Sequence, residues 1–193
     1  MRFEDIPANY LQTDRIYLEP PSLDRLQEIQ AIINNFGPLH YRFVNKEHRS
    51  KDIAKTREYL EFAIKHFADK TKRYAFYIAE QHTHNIVGYI AIMPENPDIG
   101  YFKIGYWTAS KALGKGYATE ACRLVRNIAL RVLSAHRLEM QIAKSNVASQ
   151  IVAERAGFKR ETDLRAAVVG LNGNPDIAHV YVYPFQSVDY IKR

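Results

Sequence analysis

The stretch SKALGKGYATEACRLV, residues 110–125, constrains the fold of this chain more than any other part of its sequence. Two glycines, Gly114 and Gly116, flank one lysine and precede apolar residues at helical spacing. The start of such a helix presents unpaired backbone N–H groups and the positive end of the helix dipole, and both attract an anion. Glycine lets a phosphate approach those amides and permits the backbone angles of a tight turn. The stretch therefore predicts a phosphate-binding loop, with an ordinary turn as the alternative on the local motif alone.

Two common nucleotide-binding motifs do not match this loop. The Lys-Ser/Thr pair that follows the glycines of a P-loop is absent from residues 110–125, and so is the three-glycine spacing of a dinucleotide fingerprint. The predicted phosphate site must therefore belong to another class of loop.

Apolar periodicity along the chain predicts the remaining elements. Their order is one strand, two helices, three strands, then helix, strand, helix and two strands, which indicates a mixed α/β sheet with helices on its faces. The segment between the first two helices, which contains His40, Tyr41 and Phe43, is predicted to be irregular. The predicted strands are 15–19, 74–80, 86–93, 99–107, 138–142, 164–171 and 177–183, and the predicted helices are about 22–36, 50–67, 118–132 and 146–156.

Composition limits the functional classes that are open to the chain. Hydrophobic residues make up 47% of the 193 residues and charged ones 25%, which is enough apolar material for one compact core. The net charge of +6 suits an anionic partner, but the basic residues are scattered and no nucleic-acid motif accompanies them. Direct nucleic-acid binding is therefore not expected. A basic entrance for a small phosphorylated ligand explains the charge as well.

Further features indicate a cytoplasmic protein of one domain. The single cysteine, Cys122, excludes an internal disulfide and a multi-cysteine zinc site, and no metal is expected. The first residues lack the basic-then-apolar order of a signal peptide, and no apolar run reaches the ~20 residues of a membrane span. No repeat or linker divides the sequence. We expect a single domain over residues 1–193, with no membrane association.

Two blocks of the sequence resemble the GCN5-related N-acetyltransferase (GNAT) superfamily. The pyrophosphate loop of that family reads Arg/Gln-x-x-Gly-x-Gly/Ala, and Leu113–Ala118 departs from it only in having Leu113 at the first position. A second block, NVASQIVAERAGFKRET at residues 146–162, is similar to the RimJ/RimL-type branch, which acetylates ribosomal-protein N-termini, as is the preceding IGYW. The resemblance covers about residues 15–183 and is specific between Ile104 and Thr162.

The resemblance implies a fold class and a cosubstrate. The fold class is α/β, a single-domain GNAT-like mixed, mostly antiparallel sheet of about seven strands, with helices on both faces and a splay between the fourth and fifth strands. Acetyl-CoA would bind in that gap, and a main-chain N–H of the fourth strand would polarise its thioester carbonyl. The implied cofactor-binding residues are Tyr106, Trp107, Thr108, Leu113, Gly114, Lys115, Gly116, Tyr117, Ala118, Thr119, Asn146 and Ser149.

Asn146 and Ser149 lie three residues apart at the start of a predicted helix, so their side chains face one direction. By the resemblance, Asn146 would bind the pantetheine amide, and Ser149 would be catalytic as the proton donor to the leaving CoA thiolate. Both residues also fit an ordinary helix N-terminus, with Asn146 as its N-cap. Trp107, the only tryptophan, is expected to contribute its ring to packing.

The sequence does not identify a general base. RimL-type enzymes are thought to use a glutamate in the strand that corresponds to LRAAVVG, residues 164–170, which has no carboxylate. Glu95, Asp98 and His179 are the remaining candidates. A protein α-amine has a pKa of about 7.7–8.0 against about 10.4 for lysine, so part of it is neutral near pH 7. A site without a clear base therefore suits an α-amine.

We predict an N-acetyltransferase that transfers acetyl directly from acetyl-CoA to a primary amine, with the N-terminal α-amine of a ribosomal protein as the expected acceptor. The segment NFGPLHYRFV, residues 35–44, forms either one wall of the acceptor groove or core beneath a loop. The alternatives are an acetyltransferase for a polyamine, amino acid or aminoglycoside, and a non-catalytic acyl-CoA-binding module. A basic RNA-associated protein with a coincidental GKG is a third. Monomer and homodimer are both compatible with the sequence.

Overall fold

The computed structural model describes residues 3–67, 73–170 and 172–183. Within these ranges seven strands form one sheet in the order β1-β2-β3-β4-β5-β7-β6. The strands are β1 (Ile16–Glu19), β2 (Tyr74–Glu80), β3 (Ile86–Asn96), β4 (Tyr101–Thr108), β5 (Arg137–Ala143), β6 (Lys159–Val169) and β7 (Pro175–Tyr183). The helices are α1 (Leu26–Asn34), α2 (Pro38–Phe43), α3 (Ile53–His66), α4 (Tyr117–Arg131) and α5 (Val147–Arg155).

Helices cover both faces of the sheet. On one face α4 packs against β3 and β4, and its Val125 and Ile128 are completely buried there. On the other face α1 and α3 cover an aromatic group that includes Tyr77, Tyr89 and Trp107. Full burial of a large apolar side chain stabilises the fold by about 1.5–3 kcal/mol. The predicted mixed, mostly antiparallel α/β sheet of seven strands is confirmed.

β4 and β5 are parallel, and they separate after three residue pairs. The pairs run from Tyr101–Lys103 against Arg137–Glu139. Beyond them β4 stays paired with β3 as far as Thr108, and β5 stays paired with β7 as far as Ala143. The sheet therefore opens into a gap, closed near Lys103 and open at the carboxyl ends of both strands. This is the predicted splay between the fourth and fifth strands.

A polar cluster lies at the closed end of the gap. Glu139 is only 3% exposed, although the alternation of β5 places it opposite the apolar side chains that pack against α4. Its carboxylate accepts hydrogen bonds from Tyr101 Oη at 2.8 Å, Arg137 Nη2 at 2.8 Å and Gln141 Nε2 at 2.9 Å. Burial works to raise the pKa of Glu139, but these hydrogen bonds hold it below its usual range. The cluster therefore fixes the point at which β4 and β5 meet.

Gly100 lies immediately before β4 at this same junction. Its carbonyl accepts hydrogen bonds from the backbone N–H groups of His136 at 2.8 Å and Arg137 at 3.0 Å. Its φ is +65°, and a Cβ on Gly100 would lie 2.8 Å from both His136 N and Ser134 O. Glycine is required here because the two chain segments approach too closely for a side chain.

Two predictions of secondary structure were wrong, and one predicted strand end lies outside the described residues. The segment 38–43 is a helix, because Pro38 occupies its first turn and the Gly37 N–H is bound by His40 Nδ1. β6 begins at Lys159 and not at Leu164, because the strand is exposed on both faces and shows no apolar alternation. The predicted end of the strand at Leu171 lies outside the described residues.

Candidate active site at the open end of the sheet

Two helices begin at the open end of the gap. α4 follows β4 and begins at Tyr117, and α5 follows β5 and begins at Val147. Because β4 and β5 are parallel, both helix N-termini lie beside the carboxyl ends of the strands, where α/β sheets bind their ligands. The candidate site therefore consists of the gap and these two helix N-termini.

The loop before α4 has the geometry of an anion site. Gly114 and Gly116 have φ values of +75° and +88°, so both adopt the left-handed conformation that favours glycine. A Cβ on Gly114 would meet no atom within 4 Å, which leaves open space in front of the loop. The Gly116 N–H has no acceptor in the described part of the chain, and no side chain caps α4. The amides at the start of α4 are therefore available to a phosphate group.

Alternate residues of β4 direct their main-chain groups into the gap. The Ala109 N–H donates to Val87 O at 2.8 Å, so the main-chain groups of Ala109 and Trp107 point toward β3. Those of Tyr106 and Thr108 point the opposite way, toward the space that β5 has left. The Trp107 ring is 4% exposed and stacks on Tyr89 at 5.9 Å. Trp107 therefore serves packing, and the free main-chain groups are those of Tyr106 and the N–H of Thr108.

The His40 side chain binds the last residue of β4. The Gly37 N–H donates to His40 Nδ1 at 3.2 Å, so the proton lies on Nε2, which donates to Thr108 O at 2.8 Å. The imidazole also stacks on Phe36 with a ring distance of 4.2 Å. Phe36 and His40 are buried, so these two members of the predicted acceptor wall belong to the core. Leu39 and Arg42 on the same helix are exposed.

Ser149 and Tyr106 meet across the gap from α5 and β4. Asn146 caps α5, because its Oδ1 accepts the Ser149 N–H at 3.3 Å, and the Ser149 side chain takes no part in that cap. The buried Tyr106 hydroxyl makes no hydrogen bond within the described residues. Burial raises the pKa of Tyr106, and the nearby Ser149 side chain offsets part of that increase. An unpartnered buried hydroxyl costs stability, so Tyr106 holds an unused hydrogen-bonding group beside the gap.

Tyr106→Phe is expected to leave the free energy of unfolding of the ligand-free protein unchanged, or to raise it by up to about 1 kcal/mol. The reason is that the mutation removes a buried polar atom without breaking a bond. Tyr59→Phe is the matched control, since Tyr59 Oη bonds Tyr89 Oη at 2.6 Å, and it should lose about 1 kcal/mol. Urea unfolding of both variants measures the difference. A comparable loss in Tyr106→Phe would show that the hydroxyl already has a partner.

Side chains from distant parts of the sequence hold the loop. Arg15 Nη2 donates to Lys115 O at 2.7 Å, and its guanidinium lies 4.8 Å from the centre of the Tyr117 ring. The Tyr117 hydroxyl donates to Glu80 at the end of β2. Sequence reasoning missed Arg15 and Glu80, because no local pattern links residues that are so far apart in the chain. Tyr117 itself supports the loop through its side chain.

The structure places none of the candidate bases at the open end of the gap. Glu95 pairs with Lys103 Nζ at 3.0 Å, and the exposed Asp98 follows it in the turn before β4, at the closed end. His179 lies on β7, with β5 between it and the gap, and its Nδ1 contacts Asp163 Oδ1 at 2.9 Å. The expectation that one of these three acts as a base is therefore not supported by their positions.

Other features narrow the chemistry of the site. Cys122 is completely buried on α4, and burial raises the pKa of its thiol, so it is a poor nucleophile. Among the residues that the structure describes, no three His, Cys, Asp or Glu side chains are grouped so as to hold a metal ion.

In the described residues no helix has the length and apolar character needed to cross a membrane.

The β6–β7 hairpin contacts α2 beside the open end. A Cβ on Gly173, at the tip of the hairpin, would lie 3.4 Å from Arg42 Nη1. The three carboxylates of the hairpin already have partners: Glu161 binds Arg137, Asp163 binds Arg160 and His179, and Asp176 binds Ser145. Of the described carboxylates of α2 and the hairpin, Glu161 and Asp163 are therefore paired with cationic side chains, and Asp176 is bound only by neutral donors.

A splayed mixed sheet with an anion-binding loop at its open end defines the class of this chain. The model of the acetyltransferase (GNAT) domain family matches residues 15–159, which is more than half of the sequence. The chain therefore belongs to the GNAT family, and the resemblance noted in its sequence is confirmed. The residues proposed to bind the cosubstrate from Tyr106 to Ser149 lie within the matched region.

Comparison with individual proteins gives two relatives from Bacillus subtilis (strain 168). The chain is 43% identical over 58 residues to "Probable N-acetyltransferase YjcK" and 40% identical over 63 residues to "Putative ribosomal N-acetyltransferase YdaF". These segments cover 30% and 33% of this chain and 32% and 34% of the relatives, so the match spans about a third of their length. The solved structure of RimL, a ribosomal L7/L12 α-N-protein acetyltransferase in complex with coenzyme A, superposes with a TM-score of 0.77 at 17% identity. It covers 92% of this chain and 96% of RimL, and it shows the shared fold.

Proposed function

We propose that this protein transfers the acetyl group of acetyl-CoA directly to a primary amine, and that its acceptor is the N-terminal α-amine of a protein. The observation that carries the proposal is the separation of β4 from β5 after Lys103, which frees both main-chain groups of Tyr106 and the N–H of Thr108, whose carbonyl is bound by His40. Family membership and the coenzyme A complex of RimL support acetyl-CoA as the donor. Bound there, acetyl-CoA supplies an activated thioester.

The residues present fit that donor at three places. The amides of Gly116 and of the first turn of α4 would bind the pyrophosphate, helped by the helix dipole. The N–H and C=O of Tyr106 and the N–H of Thr108 would pair with the pantetheine arm as a neighbouring strand does. One of their N–H groups would polarise the thioester carbonyl, and such preorganised donors commonly supply the largest catalytic effect.

In the transfer step, Ser149 would donate a proton to the leaving sulfur. The acceptor nitrogen forms a bond to the acetyl carbon, the carbon–sulfur bond breaks, and the sulfur takes a proton from the Ser149 hydroxyl. The Ser149 hydroxyl then regains a proton from water. An α-amine near neutral pH is partly neutral and can attack directly, and its nitrogen releases a proton to water once the bond to the acetyl carbon has formed. No strong base is then required of the protein.

The charges around α2 and the β6–β7 hairpin favour a protein acceptor over a polyamine. Glu161 and Asp163, two of the three described carboxylates of the hairpin, are paired with cationic side chains, and Arg42 and Arg165 lie on these two elements. A polycation would find only Asp176 without an ion pair there, whereas a peptide with one terminal amine needs less negative charge. The name of YdaF supports a ribosomal protein as the acceptor. Such an acceptor would place the reaction in the cytoplasm.

The test is the release of free CoA thiol from acetyl-CoA, followed with a colorimetric thiol reagent, in the presence of three acceptors. The acceptors are a peptide with a free N-terminus and no lysine, its N-terminally blocked lysine-containing counterpart, and spermidine. We expect turnover with the first peptide alone, with the acetyl group located on its α-amine by mass spectrometry. Faster turnover with spermidine or the blocked peptide would refute the proposed acceptor. Coenzyme binding without turnover of any amine would show a non-catalytic acyl-CoA-binding module.

Ser149→Ala is expected to lower kcat about tenfold and to leave the KM for acetyl-CoA within about twofold. This fall in kcat is smaller than the loss usually caused by removing an acid–base group, because Tyr106 can still deliver a proton through water. The free energy of unfolding should stay within about 0.5 kcal/mol, since the cap of α5 uses only the Ser149 N–H. Steady-state kinetics with the free-amine peptide measures the change. An unaltered kcat would remove Ser149 from the proposed step.

A further inference from the structure

We propose that Arg15 is a positioning residue that aims the Gly116 amide at the pyrophosphate of the cosubstrate. The inference rests on the proposed function. Arg15 lies just before β1, one hundred residues from the loop, yet its Nη2 donates to Lys115 O at 2.7 Å. Its Nη1 donates to Glu120 Oε1 at 2.9 Å, and the guanidinium lies over the Tyr117 ring. One side chain thus contacts the loop and the first turn of α4 at once.

The contact with Lys115 O sets the direction of an amide. Lys115 C=O and Gly116 N–H belong to one peptide unit, and a planar trans peptide directs them to opposite sides. Because Arg15 binds the carbonyl from outside the loop, the Gly116 N–H points away from Arg15. That N–H has no acceptor among the described residues. Gly116, whose φ is +88°, lies on one side of this peptide and lets it rotate at little cost, so an external contact is needed to fix it.

Arg15 also compensates the charge of Glu120. This carboxylate lies in the first turn of α4, beside the place proposed for an anionic ligand, and would repel it if left unpaired. Arg15 Nη1 and Thr13 Oγ1 bind its two oxygens, at 2.9 and 2.8 Å. Glu120 therefore serves as an anchor for the segment before β1, and its charge is balanced where the pyrophosphate would bind.

Lysine cannot replace arginine at this position. The planar guanidinium binds a carbonyl, binds a carboxylate and stacks on a ring at the same time, whereas an ammonium group is a single charged point. A lysine could keep the ion pair with Glu120 and lose the contact with Lys115 O. Arg15→Lys therefore removes the contact that orients the Gly116 amide and keeps the positive charge beside Glu120.

The experiment compares acetyl-CoA with S-acetylpantetheine, which carries the same thioester but no pyrophosphate. Kinetics are measured for the wild-type chain, Arg15→Gln and Arg15→Lys. We expect both variants to raise the KM for acetyl-CoA at least tenfold with kcat within twofold, and to leave kcat/KM for S-acetylpantetheine unchanged. Arg25→Gln is the matched control. Arg25 likewise binds a backbone carbonyl, His84 O at 2.6 Å, and two carboxylates, Glu19 and Glu28, but does not touch the loop.

The possible outcomes separate the inference from the proposed function. An equal loss with both thioesters, or a KM for acetyl-CoA in Arg15→Lys equal to that of the wild type, would overturn the positioning role. So would a tenfold rise in KM for acetyl-CoA in Arg25→Gln. A wild-type chain that neither turns over nor binds acetyl-CoA would refute the proposed function itself, and the inference with it. Urea unfolding of each variant shows whether its fold is intact, and Arg15→Lys is the milder change if Arg15→Gln unfolds.

Discussion

Gly116→Glu is expected to lower the affinity for acetyl-CoA at least 100-fold, and Gly116→Gln about tenfold. Both substitutions place a side chain of the same size at a φ of +88° and at the start of α4, so they share strain and bulk. Only the glutamate adds a negative charge beside the proposed pyrophosphate site. Arg15 lies 3.8 Å from the added Cβ, but Glu120 and Lys115 O already bind its two terminal nitrogens.

Thermal-shift titration with acetyl-CoA and free CoA measures both affinities. A ligand at one hundred times its Kd adds about 2.7 kcal/mol of stability, which is easily seen as a higher Tm. Gly157→Ala controls for strain, because Gly157 has a φ of +92° at the far end of α5. It should lose stability and keep the full response to acetyl-CoA. If Gly116→Glu and Gly116→Gln bind acetyl-CoA as the wild type does, the loop is an ordinary turn.

Gly100→Ala is expected to lower the free energy of unfolding by about 3–4 kcal/mol, a larger loss than surface substitutions cause. The added Cβ would lie 2.8 Å from His136 N and Ser134 O, which are backbone atoms that cannot move aside independently. The φ of +65° adds strain for a residue other than glycine. The substitution therefore pushes β4 away from the start of β5 at the closed end of the gap.

Gly37→Ala is the matched control for this loss. A Cβ on Gly37 would meet no atom within 4 Å, and its φ is −89°. Alanine at such a position should change stability by less than about 1 kcal/mol, and in the favourable direction if it restricts the unfolded chain. Urea unfolding of both variants gives the comparison. Equal stability of Gly100→Ala and Gly37→Ala would show that the closed end of the gap tolerates a side chain.

The sequence predicted best those elements whose burial has a regular period. β2, α3 and α4 were located to within a few residues, because each buries one face or the whole strand against the core. α2 was not predicted, because Gly37 and Pro38 are residues that commonly end a helix, while in the structure Pro38 begins one. The first residues of β6 were missed because an exposed edge strand has no apolar alternation to detect.

The candidate site likewise combines features that the local sequence predicts with features that only the tertiary fold creates. The unpaired amides at the start of α4 could be predicted from local sequence, since two glycines directly before a helix favour a tight turn that leaves its first N–H groups open. Arg15 and His40 could not be predicted, because each acts through a backbone carbonyl, Lys115 O or Thr108 O, that only the tertiary fold brings near. The alternation of β5 gave no sign that Glu139 is buried, since its partners Tyr101 and Arg137 meet it only when β4 and β5 pair.

The junction of three residue pairs between β4 and β5 joins two groups of strands. These groups follow one another along the sequence, so one is synthesised before the other. Strands β1 to β4 all come from residues 16–108, and β5 to β7 all come from residues 137–183. A nascent chain can therefore complete the first group of strands before the second has left the ribosome, because each group is contiguous and paired mainly within itself. The binding gap lies between the two groups, so neither group can form it alone.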